Sequence, residues 1–141
     1  MKIYIAGPLF NEMEQQRNIE ISDILKKLKH EVYLPQDDAG IAIKKIITNP
    51  KKEEEIRSTI FKKDIEALDW CDTILCLLDG RVPDEGTIFE LGYAYAHKKK
   101  CLIFKTDSRA MDAYGKDNIM ITHSTSKIFK TREDIINYFT K

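Results

Sequence analysis

The chain has 141 residues, 43% hydrophobic and 33% charged, the size and make-up of one globular domain rather than a disordered chain. Lysine plus arginine equals aspartate plus glutamate at 23 each, a formal net charge of zero. Composition therefore supplies no basic footprint for a nucleic-acid polymer or an anionic membrane surface.

In chain order, "KIYIAG" (2–7) reads as a first strand. A strand this early in the sequence sets the expectation that no secretory leader is present. "NEMEQQRNIEISDILKKLKH" (11–30) has helical period, with Asn11 and Glu14 as an N-cap pair. "EVYLP" (31–35) is a second strand stopped by Pro35, and a polar stretch with a short helical piece runs on to Pro50. "KKEEEIRSTIFKKDIEALDWC" (51–71) is a second long helix. The near-continuous apolar run "TILCLLD" (73–79) suits a strand buried on both faces. A third helix, "GTIFELGYAYAHK", follows a loop, and "CLIFKT" (101–106) is a fourth strand. "NIMIT" (118–122) is expected as the fifth strand, and "TREDIINYFTK" as a closing helix opened by Thr131.

Strands alternating with helices predict an α/β fold: a flavodoxin-like (Rossmann-like), doubly wound, five-stranded parallel sheet with helices on both faces. Right-handed crossovers give the order 2-1-3-4-5. No internal repeat or linker divides 1–141, so one domain is expected. No apolar run approaches the roughly 18 residues of a membrane span. Cys71, Cys76 and Cys101 are odd in number, and the last two sit in strand-like runs, so they read as buried thiols in a reducing, cytoplasmic setting.

Open parallel sheets bind ligands beyond the carboxyl ends of their strands, where the order reverses. Here that crevice is flanked by "GPLFN" (7–11) and "LDGRVPDEG" (78–86), which brings Asp79, Asp84 and Glu85 to it. Glu90 follows on the third helix. On a wheel Ile88, Leu91, Gly92 and Tyr95 form the core stripe, and Glu90 falls beside Tyr93, Ala94 and His97. It is either a solvated outer-face carboxylate or one held at the crevice, near a helix N-terminus whose dipole favours the anion. Asp64 lies within the buried arc of Ile60, Phe61, Ile65, Leu68 and Cys71, in the same sector as Arg57. Buried carboxylates are rare unless paired or functional. Tyr4 points away from Ile3 and Ile5; a core tyrosine with a satisfied hydroxyl is the plain reading. There is no GxGxxG and no GxxxxGK[ST], and His30, His97 and His123 lack metal-ligand spacing.

Taken as an ordered set, "KIYIAGPLF", "DIEALDWCD" (64–72), "DEGTIFELGYA" (84–94) and "DNIM" (117–120) resemble the nucleoside 2-deoxyribosyltransferases. The resemblance implies the flavodoxin-like fold and transfer of 2-deoxyribose between nucleobases, in nucleoside salvage, without a metal or organic cofactor. It implies Glu90 as the covalent nucleophile, Asp64 and Asp84 as acids that orient base and sugar, and Tyr4 as the group that orients Glu90. Asp84 is expected to manage the leaving base's proton. Gly7, Phe10, Gly86, Asn118 and Met120 fall at substrate-binding positions, with Phe10 suited to stacking on a base. The partners implied are 2′-deoxynucleosides, free nucleobases and further copies of the chain, a homo-oligomer in which Asn118 completes a neighbour's site.

Three other readings compete. One is a 2′-deoxynucleoside 5′-monophosphate N-glycosidase, with water as acceptor and Ser108, Arg109 or Ser124 to Ser126 as phosphate ligands. "EGTIFE" also matches the second half of the PGGxGTxxE motif of nucleotide phosphoribohydrolases, whose first half is missing. The third is a non-catalytic nucleotide-binding protein on the same scaffold.

Overall fold

Short apolar segments pair as one parallel sheet: β1 (Lys2–Ala6), β2 (Glu31–Tyr33), β3 (Thr73–Leu77), β4 (Lys100–Phe104) and β5 (Lys127–Phe129). Their order is β2-β1-β3-β4-β5, as expected from the alternation of elements. The computed structural model describes residues 1–110 and 112–140. The crossovers carry α1 (Glu12–Lys27), α2 (Pro35–Asp38), α3 (Ala42–Thr48), α4 (Glu53–Trp70), α5 (Glu85–Ala96), α6 (Ile119–Ser124) and α7 (Arg132–Phe139).

The period of two along each strand sorts the core into two layers. Ile3, Ile5, Leu75, Leu77, Leu102 and Phe104 meet Ile21 and Leu25 of α1 and Ile135 and Phe139 of α7. Tyr4, Ala6, Ile74, Cys76 and Ile103 face the other way, against Leu68 of α4, Leu91 and Ala94 of α5 and Ile121 of α6. β3 is buried at every position, which explains why its sequence is apolar without alternation. Cys71, Cys76 and Cys101 are buried and unpaired.

Local signals set the helix ends. Asn11 Oδ1 accepts from the Glu14 N–H at 2.9 Å. Thr131 opens α7 with a reciprocal capping box to Asp134. Pro35 follows the end of β2 and stands as the first residue of α2, where its missing N–H costs nothing. The last residue of the expected closing helix, Lys141, lies outside the described residues.

One element is corrected. Residues 118–122 are not a strand but the head of α6. Asn118 Oδ1 accepts from the Met120 N–H at 2.9 Å, and Ile121 alone in that helix is buried. A five-residue apolar run carries no periodicity that separates strand from helix, and the cap decides it. The sheet position goes to Lys127–Phe129, where Phe129 is fully buried. No described helix is long and apolar enough to cross a membrane.

Candidate active site

The site begins with the cap of α5. Asp84 Oδ2 accepts from the Thr87 N–H at 2.8 Å and from Thr87 Oγ1 at 2.9 Å, and Thr87 is buried. This fixes the rotation of the helix. Its buried residues are Thr87, Leu91 and Ala94. Glu90 stands three residues after Thr87 and four before Ala94, so it lies on the inward face. The stripe expected from the wheel is therefore corrected: Gly92 is exposed and Tyr95 is 58% exposed. α5 is apolar almost all round, with Phe89 also exposed, so hydropathy gave its inner face no contrast. The cap does.

Facing inward, Glu90 meets β1. The Tyr4 hydroxyl donates to Glu90 Oε1 at 2.6 Å, and Tyr4 is wholly buried. Beside it, the Tyr33 hydroxyl donates to Asp64 Oδ1 at 3.0 Å. Tyr4 and Tyr33 are register partners on adjacent strands, and their rings stack with centroids 5.3 Å apart. The crevice thus holds two parallel tyrosine–carboxylate pairs, one carboxylate from α5 and one from α4.

The electrostatics follow from that packing. Burial lifts Glu90 to about 8; the Tyr4 hydrogen bond opposes the rise, and the charges of Asp64 and Asp84 add to it. Burial lifts Asp64 to about 6 against the Tyr33 hydrogen bond and the Lys63 charge. Burial, then the neighbouring carboxylates, push both tyrosines far up, so both remain donors at any working pH. The expected effect of the helix dipole on Glu90 is overridden: it is the sixth residue of α5, beyond the first turn where the dipole acts. Between about pH 6 and 8 the two acids together hold one proton.

A raised acid destabilises the fold as it ionises. The native state keeps the Glu90 proton longer than the unfolded chain, so stability falls as pH rises from about 4.5 to about 8 and then levels. Glu90→Gln removes the buried charge. It is expected to raise Tm by several degrees at pH 9, on the order of a few kcal/mol, and far less at pH 5. Calorimetry at the two pH values checks this, and an equal shift at both would contradict it.

The other expected residues divide. Gly7 follows β1, where an added Cβ would sit 3.0 Å from Leu77 Cβ and 3.2 Å from Asn18 Oδ1; its smallness lets the 7–11 loop cross close to β3. Asn18 ties that loop down, donating to Pro8 O at 2.9 Å. Phe10, at its tip, is 76% exposed. At Gly86 a Cβ would lie 3.2 Å from Asp84 Oδ2, crowding the cap. Glu85 is exposed on the first turn of α5. Asp79 is occupied structurally, bound to Arg17 at 2.6 Å and accepting from the N–H groups of Thr106 and Asp107. Burial raises its carboxyl, but the Thr106 and Asp107 hydrogen bonds and Arg17 outweigh that and leave it below the usual range.

Two residues read with Asp64 turn outward. Phe61 is 59% exposed, and Arg57 pairs with Glu53 along its own helix at 2.8 Å. Asn118 and Met120, at the head of α6, are exposed, and among the described residues no hydrogen bond joins them to Tyr4, Asp64 or Glu90. No group of three or more described His, Cys, Asp or Glu side chains is placed to hold a metal. Tyr33 is the residue that reading from sequence misses. Its signal was available: "KIY" and "EVY" each carry tyrosine third, and pairing Lys2 with Glu31 aligns the two rings.

The sequence pattern of the family described as nucleoside 2-deoxyribosyltransferase matches residues 3–130. Among solved structures, the 2-deoxyribosyltransferase from Bacillus psychrosaccharolyticus is similar, with 28% identity, 98% of this chain and 92% of that one covered, and TM-score 0.79. The 2-desoxiribosyltransferase from Leishmania mexicana matches at 28% identity over 98% of this chain and 95% of that one, with TM-score 0.71. A CMP N-glycosidase from Clostridium botulinum shares the fold at 15% identity, covering all of both chains, with TM-score 0.57. No curated protein sequence matches the chain.

Proposed function

The chain belongs to the nucleoside 2-deoxyribosyltransferase family, and on that premise we propose that it transfers 2-deoxyribose between nucleobases, a salvage step, with Glu90 as the covalent nucleophile. The observation that carries this reading is the 2.6 Å hydrogen bond from buried Tyr4 to Glu90 Oε1. It pins one carboxylate oxygen and leaves the other to attack. In the first half-reaction Glu90 bonds to C1′ while the C1′–N bond breaks, and the leaving base takes a proton. The incoming base then attacks C1′, the ester electrons return to Glu90, and the incoming base gives up its proton. Two inversions give net retention, as in retaining glycoside hydrolysis.

Asp64 is the better proton carrier. It sits near pH 6, close to the operating range that general acid–base work favours. Asp84 commits Oδ2 to the cap of α5, and its second oxygen serves to orient the base. Phe10 offers an exposed ring for stacking on that base, and Gly7 and Gly86 keep the two flanking loops clear.

The monophosphate reading is weaker. The Arg109 guanidinium is occupied by Asp107. Ser124 Oγ donates to Ile121 O, and Ser126 Oγ to Cys101 O near the start of β4, at the amino end of the sheet and away from the crevice. The acids near the crevice also oppose a phosphate. A deoxynucleoside, given a different free base, is expected to yield the exchanged nucleoside, and its 5′-monophosphate to react at least about tenfold more slowly. Faster turnover of the monophosphate would reverse the ranking.

Asn118 and Met120 are read as serving a second copy. Beside them a groove of about 320 Å³ between α5 and α6 is lined by Ile88, Leu91, Tyr95, Ile119 and Met120, more apolar than free surface needs to be. A solution mass of two or more chains is expected, and a monomer at assay concentration would contradict it.

A further inference from the structure

Tyr33 has no part in the attack on C1′, yet its arrangement mirrors that of Tyr4. Both hydroxyls come from the same register position of neighbouring parallel strands. Both rings lie in one stack, and each donates to a carboxylate on a different helix. The Tyr4 bond stabilises the anion of Glu90. By the same physics the Tyr33 bond stabilises the anion of Asp64.

We propose that Tyr33 is a positioning residue which keeps Asp64 ionised while Glu90 carries the sugar, so that Asp64 takes the proton of the incoming base. This rests on the reading of Glu90 as nucleophile. In that step the acceptor nitrogen bonds to C1′, and the C1′–O bond to Glu90 breaks with its electron pair returning to the carboxylate. The acceptor's N–H proton passes to Asp64. Asp64 then holds the proton that the next leaving base needs, so the cycle closes without an outside proton donor.

The groups facing Asp64 make the second half-reaction the informative one. They are Tyr33 from β2, Tyr4 from β1, Glu90 from α5 and Lys63 on its own helix, with Asp38 of α2 acting on Tyr33. Once Glu90 is an ester it carries no charge, and Asp64 no longer shares a proton with it. Burial then works against its anion, and Tyr33 and Lys63 support it. Tyr33→Phe keeps the ring stack and removes only the donor. A hydrogen bond to a charged group is worth about one pH unit of acidity.

The test compares kcat/KM for the acceptor base, in wild type and Tyr33→Phe, from pH 5 to 9. The expected deficit is about tenfold at the acid end and shrinks toward parity at the alkaline end. In parallel, carbon-13 titration of the Asp64 carboxyl is followed in Glu90→Gln, with and without Tyr33→Phe. The glutamine stands for the uncharged, esterified Glu90, and a rise of about one unit is expected. A pH-independent deficit overturns the proposal even if the titration moves, because Tyr33 would then be only a packing and bonding residue. An unmoved titration also overturns it. Absence of base exchange in the wild type would instead bring down the parent reading of Glu90, and this proposal with it.

Discussion

Glu90→Ala is expected to lower base exchange on the order of 10⁴-fold or more, the scale seen when a covalent nucleophile is removed. The reason is geometric. Glu90 is the acid that α5 turns inward and that Tyr4 holds at 2.6 Å. Asp64 stands on the neighbouring helix, α4, where it accepts from Tyr33 of β2, and Asp84 is tied to the cap of α5, so neither takes its place. The substitution leaves the Tyr4 hydroxyl buried without an acceptor, which costs about 1–3 kcal/mol. Rates must therefore be read below the variant's own melting temperature. Activity within tenfold of wild type, in a folded variant, would remove Glu90 from the chemistry.

Tyr4→Phe is expected to lower kcat/KM for the donor nucleoside about 10- to 100-fold at neutral pH. In the free enzyme Asp64 and Glu90 hold one proton between about pH 6 and 8, so the profile is bell-shaped with those limbs. In the proposed reaction the productive arrangement has the proton on Asp64 and the charge on Glu90. The Tyr4 bond supports that charge, and such a bond corresponds to about 1.5–3 kcal/mol, or one to two pH units. Without it the proton settles more firmly on Glu90, the maximum drops and the alkaline limb moves upward from about 8. A lower maximum with unmoved limbs would mean that Tyr4 only fills space.

Much of the fold was legible because its signals are local or extreme. The unbroken apolar run of β3 has no other comfortable home than the centre of a parallel sheet. Asn11 and Thr131 cap the helices they were expected to cap. β5 was not legible: it has three residues, and the more apolar run before it forms α6. The rotation of α5 was also hidden, since exposed Tyr95 read like core. The deciding bond, Asp84 to Thr87, is a side-chain contact that hydropathy does not register. Tyr4 shows the same limit. Its face of the strand followed from alternation with Ile3 and Ile5, but its bond to Glu90 joins residues 86 apart in sequence. Only the packing of α5 over β1 brings that bond about. Tyr33 went unnoticed because a tyrosine in a three-residue strand is ordinary until its partner strand is in register.

The most direct measurement is mass analysis of the protein quenched after mixing with a 2′-deoxynucleoside in the absence of any acceptor base. A covalent nucleophile predicts a 2-deoxyribosyl ester on the peptide carrying Glu90. It should be lost when a free base is added, with release of a nucleoside of retained configuration. Turnover with no adduct, and a product of inverted configuration at C1′, would contradict the account.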